Sequence, residues 1–164
     1  MRPKRVLTVA ASVGLLALFA FVGAGTVGAH DRTTIHVIED SINVSYVPVG
    51  ALESPTCSNP AGCQGDYVVW DDPLYDATTH AQVGMIRGEC YVIDTAGVLL
   101  HCPGVTLSLT GRGDIMDTGL FDVTGKTEIG AITGGTGRFS GATGTVAGRA
   151  IDATHNDFVI DLGD

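Results

Sequence analysis

Residues 131–151 read AITGGTGRFSGATGTVAGRAI, and six of these 21 residues are glycine. Nearly all the others are small, β-branched or hydroxylic. A helix is disfavoured here, since each interior glycine costs roughly 1 kcal/mol relative to alanine. The composition instead predicts two extended segments, 128–133 and 141–151, joined by a tight turn at Gly134-Gly135-Thr136-Gly137. Glycines inside strands mark bends and close backbone approach, as at the corners of a strongly curved sheet. A curved sheet without helices to cover it tends to close into a barrel.

The rest of the chain repeats the pattern of short strands. Two β-type runs, Ile35/Val37 and Ile42/Val44/Tyr46, end at Pro48. A Pro-, Ser-, Gly- and Asn-rich loop spans 49–64. Residues 66–70 form a short strand expected to stop at Asp71-Asp72-Pro73, because a residue before proline is pushed out of helical space. A polar turn at 75–81 leads to a hairpin, 82–94 with 98–102, and to separate strands at 105–110 and 114–123. A last weakly alternating segment is 157–162. About eight strands at short spacing, with no helical periodicity after residue 29, predict an all-β, eight-stranded antiparallel β-barrel.

The first 29 residues stand apart. Arg2, Lys4 and Arg5 precede an apolar run over 6–22, and Val27-Gly28-Ala29 supplies small residues before a cleavage site. That is the layout of a secretory signal peptide. A single membrane anchor is the alternative, with an apolar run just under the spanning length. The expected organisation is a signal peptide over 1–29 and one domain over 30–164, secreted and free of the membrane after cleavage. All 18 acidic residues but only 6 of the 9 Lys/Arg fall after residue 29, giving a net charge of −12. Such a surface argues against nucleic acid or an anionic membrane as partner.

Four cysteines in an exported chain suggest two disulfides. Three pairings are possible, and spacing favours Cys57–Cys63 with Cys90–Cys102. Hairpin register supports the second pair, since 94 opposite 98 sets 90 opposite 102. A metal site is not expected: no Cys-x-x-Cys occurs and His30, His36, His80, His101 and His155 are dispersed.

Other motifs carry less. Gly134-Gly135-Thr136-Gly137 resembles a phosphate loop, but poor helix formers follow it and no Lys stands at the required spacing. Arg112-Gly113-Asp114 is an adhesion-type triplet that a turn also explains, and Asn43-Val44-Ser45 is a glycosylation sequon inside a predicted strand.

Two segments together resemble the allene oxide cyclase and dirigent barrel families. Asp71-Asp72-Pro73-Leu74, then Val83-Gly84, Gly88 and Tyr91, match a dirigent pattern in which Met85 replaces a usual arginine. Gly134-Gly135-Thr136-Gly137-x-Phe139 matches the second motif, with Thr143 where an arginine is usual and Arg138 where some members carry Asp. The resemblance covers roughly residues 66–151. Residues 70–84 are also similar to bacterial spirotetronate cyclases, which work inside the cell. The resemblance implies an apolar cavity, no cofactor, and a small hydrophobic molecule as partner, held in one conformer for ring closure or coupling. Such a barrel acts as an entropy trap. Isomerase or cyclase activity is one expectation; a non-catalytic carrier, a filled adhesive domain or a cycloaddition catalyst are the others. The resemblance further implies a dimer or trimer.

Asp71 and Asp72 are the candidate catalytic residues, as a general acid or hydrogen-bond acceptor at the barrel mouth. An Asx turn capping the strand is their alternative role. Tyr67, Trp70 and Tyr91 are expected to bind ligand as cavity walls or else to fill the core. Arg87 shares a strand face with Glu89 and Tyr91 and, with Arg138, completes the candidate binding set.

Overall fold

Alternation of apolar and polar residues along each segment builds the molecule, because successive side chains in a strand point to opposite faces. The computed structural model describes residues 33–48, 63–94 and 96–163. The expected signal peptide and Cys57 lie outside the described residues. Nine strands follow in chain order: β1 (Thr33–Asp40), β2 (Val44–Val47), β3 (Tyr67–Asp76), β4 (Gln82–Val92), β5 (Leu99–Leu109), β6 (Gly113–Asp122), β7 (Thr127–Gly135), β8 (Thr143–Ala150) and β9 (His155–Gly163). A 3-10 turn, Gly137–Phe139, lies between β7 and β8.

Strands β3 to β9 pair antiparallel with their sequence neighbours, and β1 closes the ring by pairing with both β9 and β3. The result is a closed eight-stranded antiparallel barrel, with the four residues of β2 extending along β3 beyond the end of β1. Closure removes the sheet edges that would otherwise invite aggregation.

Three local expectations need correction. The strand beginning near Asp66 runs through Asp71-Asp72-Pro73 to Asp76. Proline is tolerated because β1 pairs with β3 only from Leu74 on and β2 only up to Trp70. Pro73 therefore falls in a gap on that side of the ladder, where a missing N–H costs no bond. The segments expected at 98–102 and 105–110 merge into one strand, β5 over Leu99–Leu109, carried past Pro103-Gly104 by a register shift between Cys102 and Val105. The glycine-rich connection is longer than a tight turn, since β7 includes Gly134 and Gly135 and the chain then makes its 3-10 turn.

That connection seals one end of the barrel. Phe139 is buried beneath it, with the Arg112 guanidinium 5.1 Å above the ring centroid. Ile35, Leu74, Ile86, Leu109, Ile115, Ile132 and Ile160 fill this half. Shortening any one of the larger chains to alanine costs about 2–5 kcal/mol. Gly144 shows why glycine is required in the wall: its φ is +140°, and a Cβ there would fall 2.0 Å from the Asp161 carbonyl oxygen.

Candidate functional site

The opposite half of the barrel is hollow. A cavity of about 220 Å³ opens there, walled by Val68, Trp70, Leu100, Phe121, Phe158 and the Cys90–Cys102 disulfide. Its polar groups are Glu39, Ser41, Glu128, Asn156 and Arg149. Small-molecule sites have this character, apolar walls with a few placed polar groups.

Glu128 is set by register. It stands opposite Phe121 on β6 and Gly148 on β8, on the inward phase of β7 with Gly130 and Ile132. Gly148 makes room for it: a Cβ at 148 would lie 2.6 Å from the Phe158 ring and 3.2 Å from the Glu128 Cβ. Glu128 is 8% exposed and has no hydrogen-bond partner among the described residues. Burial first, then repulsion from Asp117 and Glu39, pushes its carboxyl up to about 8. At neutral pH it is therefore mostly the neutral acid, able to donate a proton.

Two further acids surround it. Asp117 projects inward from β6 next to Gly130, fully buried and with neither carboxyl oxygen hydrogen-bonded to another described residue. Burial raises its carboxyl to about 7. Glu39, at the end of β1, accepts hydrogen bonds from Asn156 Nδ2 at 2.6 Å and Ser41 Oγ at 2.9 Å. Its carboxyl is raised by burial, which those two bonds oppose and the nearby Asp72 and Asp40 reinforce.

Among the residues singled out from sequence, Trp70 and Asp72 point inward and Trp70 lines the hollow. Asp72 is completely buried, but its Oδ1 accepts the backbone N–H groups of Ile42 and Asn43 at 3.0 and 2.6 Å. It thereby fastens the link between β1 and β2 across the Pro73 gap. Asp71, one residue out of phase, points outward and pairs with Arg87 Nε at 3.0 Å. Both side chains are more than half exposed, so this pair contributes little.

Tyr67 and Tyr91 also have the outward phase, so they do not wall the cavity; their rings meet outside, centroids 5.6 Å apart. Tyr91 donates a hydrogen bond to Glu89 at 3.2 Å. Arg138 sits exposed on the 3-10 turn at the sealed end, on the far side of the barrel from the hollow. Glu39, Asp117 and Glu128 were missed by the motif reading. One signal could have found them: each is an acid in phase with buried apolar neighbours, as in Ile35–Val37–Glu39 and Glu128–Gly130–Ile132.

No family model and no curated protein matches the chain. Solved structures do share the barrel. A pyocyanin demethylase superposes with a TM-score of 0.65 at 22% identity, over 80% of this chain and 100% of that one. One pterocarpan synthase dirigent protein gives a TM-score of 0.66 at 18% identity, over 81% and 95% of the two chains. A second gives 0.62 at 19% identity, over 81% and 86%. At these identities the likeness establishes the fold, and it is the barrel that the dirigent resemblance implied.

Proposed function

We propose that this dirigent-type barrel is an exported, cofactor-free isomerase or cyclase that holds one small hydrophobic molecule in its hollow and protonates it from Glu128. One observation carries the reading: a buried carboxyl group, Glu128, without a hydrogen-bond partner among the described residues, lining an apolar cavity open at the barrel mouth. A wall that fixes a reactive conformer removes several kcal/mol from a barrier. A positioned general acid contributes a further 10²–10⁴-fold or so. The similar folds of a demethylase and two synthases support a catalytic use of the scaffold. Export is supported by the basic and apolar leader and by the disulfide between Cys90 and Cys102.

The test uses Trp70, the chain's single tryptophan, which lines the hollow. Titrating an apolar fluorescent probe into the purified protein should change Trp70 emission saturably, at one probe per barrel. No saturable response sinks the reading. A carrier needs the hollow but not the acid. Once a substrate is in hand, Glu128→Gln should abolish turnover while leaving probe binding nearly intact, whereas a carrier shows no turnover in either form.

A further inference from the structure

Four carboxyl groups face the barrel interior, Glu39 from β1, Asp72 from β3, Asp117 from β6 and Glu128 from β7. No Lys, Arg or His is buried among the described residues to balance them. Arg149, on β8 at the rim, is the nearest cation to the hollow, but its side chain is 73% exposed and it pairs with Asp157 at 3.1 Å. Among the described residues, the carboxyl groups of Asp117 and Glu128 have no hydrogen-bond partner, and one oxygen of Asp72 has none either. Buried polar groups are normally satisfied, and of these acids Glu128 lines the hollow, where its carboxyl group is placed to bond an occupant.

The walls narrow what that occupant is. Trp70, Phe121 and Phe158 present aromatic surface to the same cavity that Glu39 and Glu128 enter. Ring faces attract cations, and carboxyl groups in a low-dielectric hollow do so more strongly. An anionic ligand meets Glu39 and Glu128 there, and the cation at the rim, Arg149, is already paired with Asp157. A carbonyl or ether oxygen can accept one hydrogen bond, but it is too weak a base to take the proton. A basic nitrogen can take it.

We propose that the hollow selects an uncharged lipophilic weak base, a flat molecule with one amine or aza-aromatic nitrogen, and that Glu128 protonates this nitrogen as it binds. The Glu128 O–H bond breaks, an N–H bond forms, and the ammonium–carboxylate pair stays in the cavity with no proton exchanged with solvent. The new cation is then attracted by Glu39, Asp117 and the ring faces together. This assignment rests on the ligand-holding function proposed above and names its substrate class.

Three flat probes of similar size test it near neutral pH: acridine, which is uncharged when free there; anthracene, which lacks the nitrogen; and anthracene-9-carboxylate. Acridine is chosen because its neutral and protonated forms emit at different wavelengths. Bound acridine should show acridinium emission and bind at least about tenfold more tightly than anthracene, and the carboxylate at least about tenfold more weakly. In Glu128→Gln, anthracene affinity should persist, showing an intact barrel, while acridinium emission disappears and acridine affinity falls to that of anthracene. Neutral-base emission from bound acridine, equal affinity for acridine and anthracene, or a preference for the carboxylate would overturn the assignment alone. Failure of all three probes to bind would overturn it together with the ligand-holding reading.

Discussion

Gly148 on β8 stands opposite Phe158 on β9, and the ring lies where a side chain at 148 would begin, 2.6 Å from the position of its missing Cβ. The cavity wall is therefore shaped by an absent side chain. Gly148→Ala must displace the Phe158 ring, which itself lines the hollow. The variant should lose roughly 1–3 kcal/mol of stability from overpacking. Its apolar-probe affinity, read from Trp70 emission, should fall about tenfold or more. Unchanged affinity would mean that the ring does not shape the binding space.

Glu128 and Asp117 should make the protein less stable as pH rises. Their folded values of about 8 and about 7 lie above the ordinary 4.5 and 3.8. Between those limits the folded state binds more protons than the unfolded chain, so stability falls with increasing pH. It is fully present below about pH 4 and is lost by about pH 8, a change on the order of a few kcal/mol for groups this buried. His155, exposed and raised by Asp152, adds a weak loss of the same sign. Asp152 itself, lowered to about 2, titrates below the window. Thermal unfolding between pH 5 and 9 should show a falling Tm, and Glu128→Gln and Asp117→Asn should each flatten the slope.

Asp72 should matter first to folding. Asp72→Ala removes the acceptor for two backbone N–H groups, with an expected loss of roughly 2–4 kcal/mol in urea unfolding. Asp72→Asn keeps an acceptor oxygen and should lose much less, below about 1.5 kcal/mol. If alanine and asparagine variants are equally stable, the bonds to Ile42 and Asn43 do not hold the β1–β2 link.

The Cys90–Cys102 bridge closes a short loop, with a sequence separation of 12, across β4 and β5. Replacing both cysteines with alanine should lower stability by about 3 kcal/mol in the chain-entropy account. Because both residues also wall the cavity, the same variant should weaken probe binding. Equal urea midpoints with and without the bridge would contradict the first expectation.

Much of the barrel was legible in the chain. The Gly-rich segment from Ala131, the Val/Leu alternation of β5 and the Cys90–Cys102 register are each local features of the sequence. Strand ends were less legible where a local rule met a tertiary exception. Pro73 ends an isolated strand, yet survives inside β3 because its neighbours on that side skip three residues.

The candidate site divided along the same line. Sequence motifs drew attention to Asp71, Asp72, Tyr67 and Tyr91, and strand phase then turned Asp71 and both tyrosines outward. Sequence alone pointed to a β-rich, curved, acidic chain and favoured a Cys90–Cys102 bridge among three possible pairings, because propensity, glycine placement and hairpin register are local properties. Only closure of the barrel decided that Glu39, Asp117 and Glu128, drawn from three strands and up to 89 positions apart, share one interior. Their raised proton affinity follows from that shared burial, a property of the enclosed space rather than of any segment.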